Sequence, residues 1–237
     1  MNILLTGGSG RLGTELLKNK NHNINAPSHK LLDITQLTKL TKYLKLSKPD
    51  VLLHSAALTN PMDNHIKDPK LSILTNIIGT SNCAAACVQL GIKMIYISTD
   101  YVYPGKKGPY FEDDPLLPIN NYGWSKLGGE CSVKLIPNHL ILRCSFTEKP
   151  FKHESAFIDS YKSFMYVDEI VKLIWSLIEN NAQGTFNVGG SARSIYNFAK
   201  LSNPNVKKIL REDVPGTPLD TTLYLGKLRT ITHDFPF

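Results

Sequence analysis

Cysteine is scarce in this chain and has no metal-site spacing. The four cysteines are Cys83, Cys87, Cys131 and Cys144, and their separations match no zinc or cluster-binding pattern. Cys83 and Cys87 stand four apart in an alanine-rich stretch, which predicts one helix face packed against another element. Thiols used for packing fit a reducing compartment, so disulfides are not expected. Nor do the acidic residues and histidines form a ligand set that specifies a metal. No apolar run approaches the length of a membrane span. The start shows no basic segment followed by an apolar one, and a first strand begins directly after Met1, so no signal peptide is expected. These absences predict a cytoplasmic location with no membrane partner. Blocks of like charge are missing too: the net charge is +7, but the lysines are dispersed. No nucleic-acid motif accompanies them, so nucleic acid is not an expected partner. A modest positive field favours an anionic small substrate.

What is present is a chain long enough for a full hydrophobic core. Its 237 residues are 42% hydrophobic and 20% charged, an ordinary globular balance. Strand and helix patterns alternate through about the first 145 residues. Strands are predicted at Asn2–Thr6, Asn23–Pro27, Val51–Ser55, Met94–Ser98 and His139–Arg143. Helices are predicted at Arg11–Lys18, Gln36–Leu46, Leu71–Leu90 and Tyr122–Leu135. Short, continuously apolar strands between helices argue for a parallel sheet covered on both faces. The expected fold is therefore α/β, a Rossmann-type doubly wound parallel sheet with a small C-terminal lobe. The expected division is 1–145 for the nucleotide-binding part and 146–237 for a small substrate lobe. In the latter, Asp168–Asn180 reads as a helix with Asp168 as its cap, Thr185–Val188 as a strand and Ile195–Leu201 as a short helix.

The first strand runs into Gly7-Gly8-Ser9-Gly10-Arg11-Leu12-Gly13, which opens the first helix. Glycines at 7, 10 and 13 permit a tight turn and close backbone approach to a pyrophosphate. The helix start adds free N–H groups and partial positive charge. A glycine motif is informative between a strand and a helix, and here it has that setting. Two cues on the second phosphate disagree. No acid ends the second strand, and Ser28, His29 and Lys30 would suit a ribose 2′-phosphate, which favours NADPH. Asp33 lies about twenty residues past the turn, where a ribose-binding acid is expected and NADH would be used. It also stands just before a helix and would serve equally well there. NADPH is favoured, with NADH the alternative.

A second motif is Tyr122-Gly123-Trp124-Ser125-Lys126, preceded by a strand ending in Ser98-Thr99. Residues four apart share a helix face, so Lys126 is expected beside the Tyr122 phenol. A neighbouring ammonium lowers a tyrosine pKa and improves the phenol as a proton donor near neutral pH. The Thr99 hydroxyl could orient a carbonyl between them.

Together these segments resemble the extended short-chain dehydrogenase/reductase superfamily, and within it the dTDP-4-dehydrorhamnose reductase family. The matching stretches include Leu5 to Gly13, Leu32-Asp33-Ile34-Thr35, Ala56-Ala57-Leu58-Thr59 and Asn76-Ile77-Ile78-Gly79-Thr80. They continue with Ser98-Thr99-Asp100-Tyr101-Val102 and Tyr122 to Leu127, then Tyr166-Val167-Asp168-Glu169 and Pro218-Leu219-Asp220. The resemblance implies reduction of the 4-keto group of a nucleotide-linked 6-deoxyhexose. It assigns Tyr122 as proton donor, Lys126 to the nicotinamide ribose, and Thr99 to the keto oxygen. Asp100, Tyr101 and Phe146 would contact a dTDP- or UDP-linked sugar. Gly10, Arg11 and Leu12 would touch pyrophosphate, Asp33 and Ile34 would border adenine, and Ala56 and Ala57 would pass close to the cofactor. It also implies dimerisation as an option. Thr99-Asp100-Tyr101 lacks the carboxylate base of the related dehydratases; a bifunctional epimerase/reductase is the alternative within the superfamily, although no cysteine stands near Thr99 as in those enzymes. Relative to the family the stretch between Phe146 and Tyr166 is short. A regulatory subunit of methionine adenosyltransferase resembles the same family and binds NADP without turnover, which is the non-enzymatic alternative.

Overall fold

The computed structural model describes residues 1–59, 62–214 and 216–232. Its central sheet has six strands: β1 (Asn2–Thr6), β2 (Asn23–Asn25), β3 (Val51–His54), β4 (Lys93–Thr99), β5 (Leu140–Cys144) and β6 (Gly184–Val188). Their order is β2-β1-β3-β4-β5-β6, and the sheet is parallel. The chain leaves β1 towards one edge and returns on β1's other side as β3. This reversal makes the β1/β3 junction the topological switch point, where ligands of such sheets bind. Contacts divide the chain into two compact units, Met1–Ser98 with Trp124–Leu142, and Thr99–Gly123 with the residues from 143 onward.

In the first unit the strands are short and apolar because both faces are covered. All four residues of β3 are buried, and Ile3, Leu4, Leu5 and Thr6 of β1 face Val51, Leu52, Leu53 and His54 in register. Helix α1 spans Arg11–Leu16, and α2 spans Leu37–Ser47. Leu40 and Leu44, one turn apart, put the apolar stripe of α2 into the core beside Leu4, Leu52 and Met94. Helix α3 runs from Pro69 to Leu90. Its start is set by Asp68, whose carboxylate accepts from Leu71 N at 3.0 Å, and by Pro69 at the first position. It ends at Gly91, which takes the left-handed conformation at φ 66. Spanning 22 residues, with a mean hydropathy of 1.4 over an 18-residue stretch, α3 is long and apolar enough to cross a membrane by length and composition. This corrects the expectation that no run reaches that length. Lys70, Ser72, Thr75, Asn76, Thr80, Ser81, Asn82 and Gln89 interrupt this stretch, so it holds no unbroken apolar run of that length. The helix is a core element: Cys83, Ala84, Ala86 and Cys87 pack into the same cluster as α2 and the sheet. Both cysteines therefore serve as packing groups, and burial pushes the Cys87 thiol up to about 12. Seven residues of α3, Ile73–Gly79, form a wider π turn, a feature often found at functional sites.

The second unit is built from loops, small ladders and helix α5 (Val167–Glu179). Phe146–Thr147 pairs with Met165–Tyr166, Ser155–Phe157 with Lys207–Ile209, and Tyr161–Lys162 with Arg193–Ser194. The apolar face of α5 buries Ile170, Leu173, Ile174 and Leu177. Its cap is Tyr166, whose backbone N–H donates to the Glu169 carboxylate at 3.2 Å. Asp168, expected as the cap, lies inside the first turn instead, where its charge favours the positive end of the helix dipole. The loop after β4 is fastened by the buried Arg143. Its Nη1 donates to Tyr103 Oη at 2.9 Å and to the Glu112 carbonyl at 2.8 Å, while Tyr103 stacks on Tyr110 with ring centres 4.8 Å apart.

Candidate active site

The first unit carries a cavity of about 520 Å³ at the switch point. Among its lining are Gly7, Gly10, Ser28, Asp33, Ile34, Ala56 and Ala57, all singled out from the sequence. Thr6, His29, Ser55 and Thr75 line it as well. Gly7 adopts φ +76, and a Cβ there would lie 2.6 Å from Ala56 N. A Cβ at Gly13 would lie 2.2 Å from the Gly7 carbonyl oxygen. Both glycines are thus required by close backbone approach, which leaves the turn open to a ligand's phosphates. Gly10 N donates to that carbonyl at 3.0 Å and closes the turn. Leu12 and Gly13 are buried behind it, whereas Arg11 and Lys30 are exposed. Asp33 borders the cavity, but its carboxylate is occupied locally. Thr35 N and Oγ1 donate to Oδ1 at 2.9 and 2.8 Å, and Gln36 Nε2 donates to Oδ2 at 3.0 Å. Burial opposes its charge, but these bonds hold the carboxyl below its ordinary value, aided by His29. The residue thereby fixes the turn that leads into α2.

Behind the glycine turn lies a network that the sequence did not suggest. His54 ends β3 fully buried; its Nδ1 is 2.7 Å from Thr6 Oγ1 and its Nε2 is 3.0 Å from Thr80 Oγ1. Thr6 Oγ1 also accepts from Ala56 N at 3.4 Å. The ring stacks on Tyr96. Burial, and secondarily the charge of Lys126, lowers the His54 pKa to about 3, so this ring is neutral at physiological pH. Lys126 is itself buried, with Nζ 4.1 Å from the Tyr96 ring centre. It sits on α4 (Asn121–Val133), the helix that also carries Tyr122. Asn76, in the π turn, donates to the Leu58 carbonyl at 2.9 Å and to Ser125 Oγ at 2.9 Å, and its Oδ1 accepts from Leu58 N at 2.8 Å. The wider turn therefore places one amide where it ties the Ala56-Ala57-Leu58 edge of the cavity to α4, beside Lys126.

The second unit carries the proton-bearing groups. Tyr122 is hydrogen-bonded to Thr99. Thr99 Oγ1 donates to Asp100 Oδ1 at 3.2 Å and accepts from Tyr101 N at 3.3 Å. Asp100 Oδ2 accepts from Lys162 Nζ at 2.6 Å, Thr221 Oγ1 at 2.6 Å and Ser145 Oγ at 3.3 Å. The Tyr101 ring meets Tyr122 edge-on at 6.0 Å between centres. Phe146 is half-buried on its short strand. Thr99, Asp100, Tyr101 and Tyr122 thus form one cluster, joined by Ser145, Lys162 and Thr221, which no motif marked. The Tyr122 pKa does not follow the expectation from its lysine neighbour. Burial pushes the phenol well above its ordinary value, the Thr99 hydrogen bond opposes this, and the charge of Asp100 adds to it. Desolvation of the phenolate outweighs the hydrogen bond, so Tyr122 stands as a firmly protonated acid.

A parallel sheet with a glycine turn opening on a switch-point cavity, together with a Thr and Tyr-x-x-x-Lys constellation, defines the extended short-chain dehydrogenase/reductase class. Comparison with known proteins narrows this. Residues 1–149 match the family model described as the RmlD substrate binding domain, and the chain belongs to that family. Over 99% of its length it superposes on 93% of an NADP complex of dTDP-4-dehydrorhamnose reductase from Bacillus anthracis, with a TM-score of 0.88 and 30% identity. It is 36% identical over 137 residues to the spore coat polysaccharide biosynthesis protein SpsK of Bacillus subtilis, covering 56% of this chain and 48% of that one. Methionine adenosyltransferase 2 subunit beta of Xenopus laevis is 33% identical over 140 residues, 55% of this chain and 42% of that one. The chain spans about half the length of the curated relatives it matches.

Proposed function

We propose that this chain is an NADPH-dependent oxidoreductase that reduces the 4-keto group of a dTDP-linked 6-deoxyhexose in cytoplasmic nucleotide-sugar biosynthesis. The observation that carries the reading is the Tyr122–Thr99–Asp100 hydrogen-bonded cluster in a chain 30% identical to a dTDP-4-dehydrorhamnose reductase over nearly its whole length. In this reading residues 1–145 serve the cofactor and 146–237 form the substrate lobe. The open glycine turn and the cavity above Ala56 and Ala57 fit a dinucleotide. Gly7, Gly10, Arg11, Leu12 and Gly13 would hold its pyrophosphate. Ser28 and Lys30 would meet a 2′-phosphate, Asp33 and Ile34 the adenosine, and Lys126 the nicotinamide ribose. When bound, the reduced nicotinamide supplies hydride. Thr99 then holds the keto oxygen, and Tyr122 gives its proton to the oxygen as it gains negative charge. A phenol kept protonated by its surroundings suits that task over a wide pH range. Asp100, Tyr101 and Phe146 would flank the sugar; UDP is the alternative carrier nucleotide, and a homodimer is the proposed assembly.

The test is oxidation of NADPH on adding dTDP-4-dehydrorhamnose. Tyr122→Phe is expected to lower kcat by about 10²- to 10⁴-fold with NADPH affinity retained; full activity in that variant would exclude Tyr122 as the donor. The similarity to methionine adenosyltransferase 2 subunit beta supports one other reading, a cofactor-binding regulatory subunit. Tight NADPH binding without turnover of any 4-keto sugar nucleotide, together with copurification of a synthetase, would establish that reading instead.

A further inference from the structure

One buried charge in the second unit, Lys162, has no assigned part in the proposed reaction. Lys162 lies on the short strand Tyr161–Lys162. Its side chain is 2% exposed and its Nζ is 2.6 Å from Asp100 Oδ2. The same nitrogen sits 3.8 Å from the centre of the Tyr101 ring. A lysine buried this far needs a partner, and the carboxylate and the ring face supply it. The pairing also decides how Asp100 is used. With Lys162, Thr221 and Ser145 on Oδ2, the carboxylate presents Oδ1 to the Thr99 hydroxyl. The Thr99 hydroxyl, which also accepts from Tyr101 N, is thereby held between that oxygen and the Tyr122 phenol.

We propose that Lys162 is a positioning residue for proton delivery: it anchors Asp100, so that the Thr99 hydroxyl is held against Tyr122, and its charge offsets the carboxylate when Tyr122 becomes a phenolate. The proposal rests on the reductase reading of this site. The electrostatic argument is direct. Proton transfer from Tyr122 creates a second anion beside Asp100, in surroundings that screen charge poorly. An ammonium in contact with the carboxylate reduces that repulsion. Loss of the ammonium would also free the carboxylate to rotate, and Thr99 would turn with it.

The experiment uses the full chain, NADPH and dTDP-4-dehydrorhamnose, with the variants Lys162→Met, Lys162→Arg and Thr221→Val. Lys162→Met keeps the length of the side chain and removes its charge. Its kcat is expected to fall on the order of 100-fold, as for a slightly misplaced catalytic group, with KM for NADPH unchanged. The solvent deuterium isotope effect on kcat should rise, because proton transfer has been slowed selectively. Lys162→Arg should restore most of the rate. Thr221→Val removes an uncharged donor from the same oxygen and should move kcat and the isotope effect in the same direction by less; it decides the matter if Lys162→Met does not fold. A purely structural ion pair predicts fewer active molecules with an unchanged isotope effect, and that result overturns the proposal. So does a Lys162→Met kcat within about twofold of wild type. In both cases a wild type that turns over leaves the reductase reading standing. A wild type inert towards every 4-keto sugar nucleotide overturns that reading and the role of Lys162 together.

Discussion

His54 makes the acid stability of the first unit predictable. The ring is fully buried between Thr6 and Thr80, and its pKa falls from 6.5 to about 3 on folding, through burial first and the charge of Lys126 second. A depressed histidine pKa means that the unfolded chain binds a proton which the folded chain refuses. Stability from this group is therefore complete above about pH 6.5 and is lost progressively as pH falls towards 3. At pH 5 the unfolded ring is about 1.5 pH units below its pKa while the folded ring is still neutral. At 1.36 kcal/mol per unit this is about 2 kcal/mol, a large share of a net stability of about 5–15 kcal/mol. His54→Gln keeps a polar side chain near Thr6 and Thr80 but cannot titrate. Urea unfolding of both proteins at pH 7.5 and pH 5 isolates the effect, because every other titrating group is common to the two. Wild type should lose about 2 kcal/mol more than His54→Gln between those pH values. Equal losses would mean that His54 is protonated in the folded protein or solvated within it, and the argument from burial would fail.

Two further substitutions test the cavity. Gly13→Ala places a methyl 2.2 Å from the Gly7 carbonyl oxygen, so the turn must shift; NADPH binding, followed by fluorescence titration, is expected to weaken by about tenfold or more, roughly 1.4 kcal/mol, and wild-type affinity would show that the turn adapts freely. Asn76→Ala strips the partners from Leu58 N and O. The expected cost is about 2 kcal/mol in urea unfolding, with faster hydrogen exchange at the Leu58 amide, and unchanged protection there would refute the tie between the π turn and the cavity edge.

Local patterns carried much of the fold. β1 is Asn2–Thr6 as its apolar run predicts, because a strand buried on both faces has few other compositions. Leu40 and Leu44 announce α2 by spacing alone. Glycines at 7 and 13 are legible for a comparable reason: each is needed by a backbone contact close in sequence or at a strand end. Positions that depend on distant partners were less legible. Glu169 rather than Asp168 bonds the amide of Tyr166, the cap of α5, since cap geometry is decided by the direction in which the chain enters the helix. Asp33 satisfies both sequence cues for its position, and only the bonds to Thr35 and Gln36 show how its carboxylate is engaged.

The sequence by itself determined the alternating α/β order, the glycine turn and the spacing that puts Tyr122 and Lys126 on one helix, because each is written in a short local pattern. The tertiary structure decided their electrostatics. Tyr122 is held up by burial rather than lowered by its helical neighbour, since desolvation depends on everything packed around the phenol. Lys162 and Thr221 reach Asp100 from 62 and 121 residues away. No spacing rule spans such distances, and only folding brings those donors to one carboxylate.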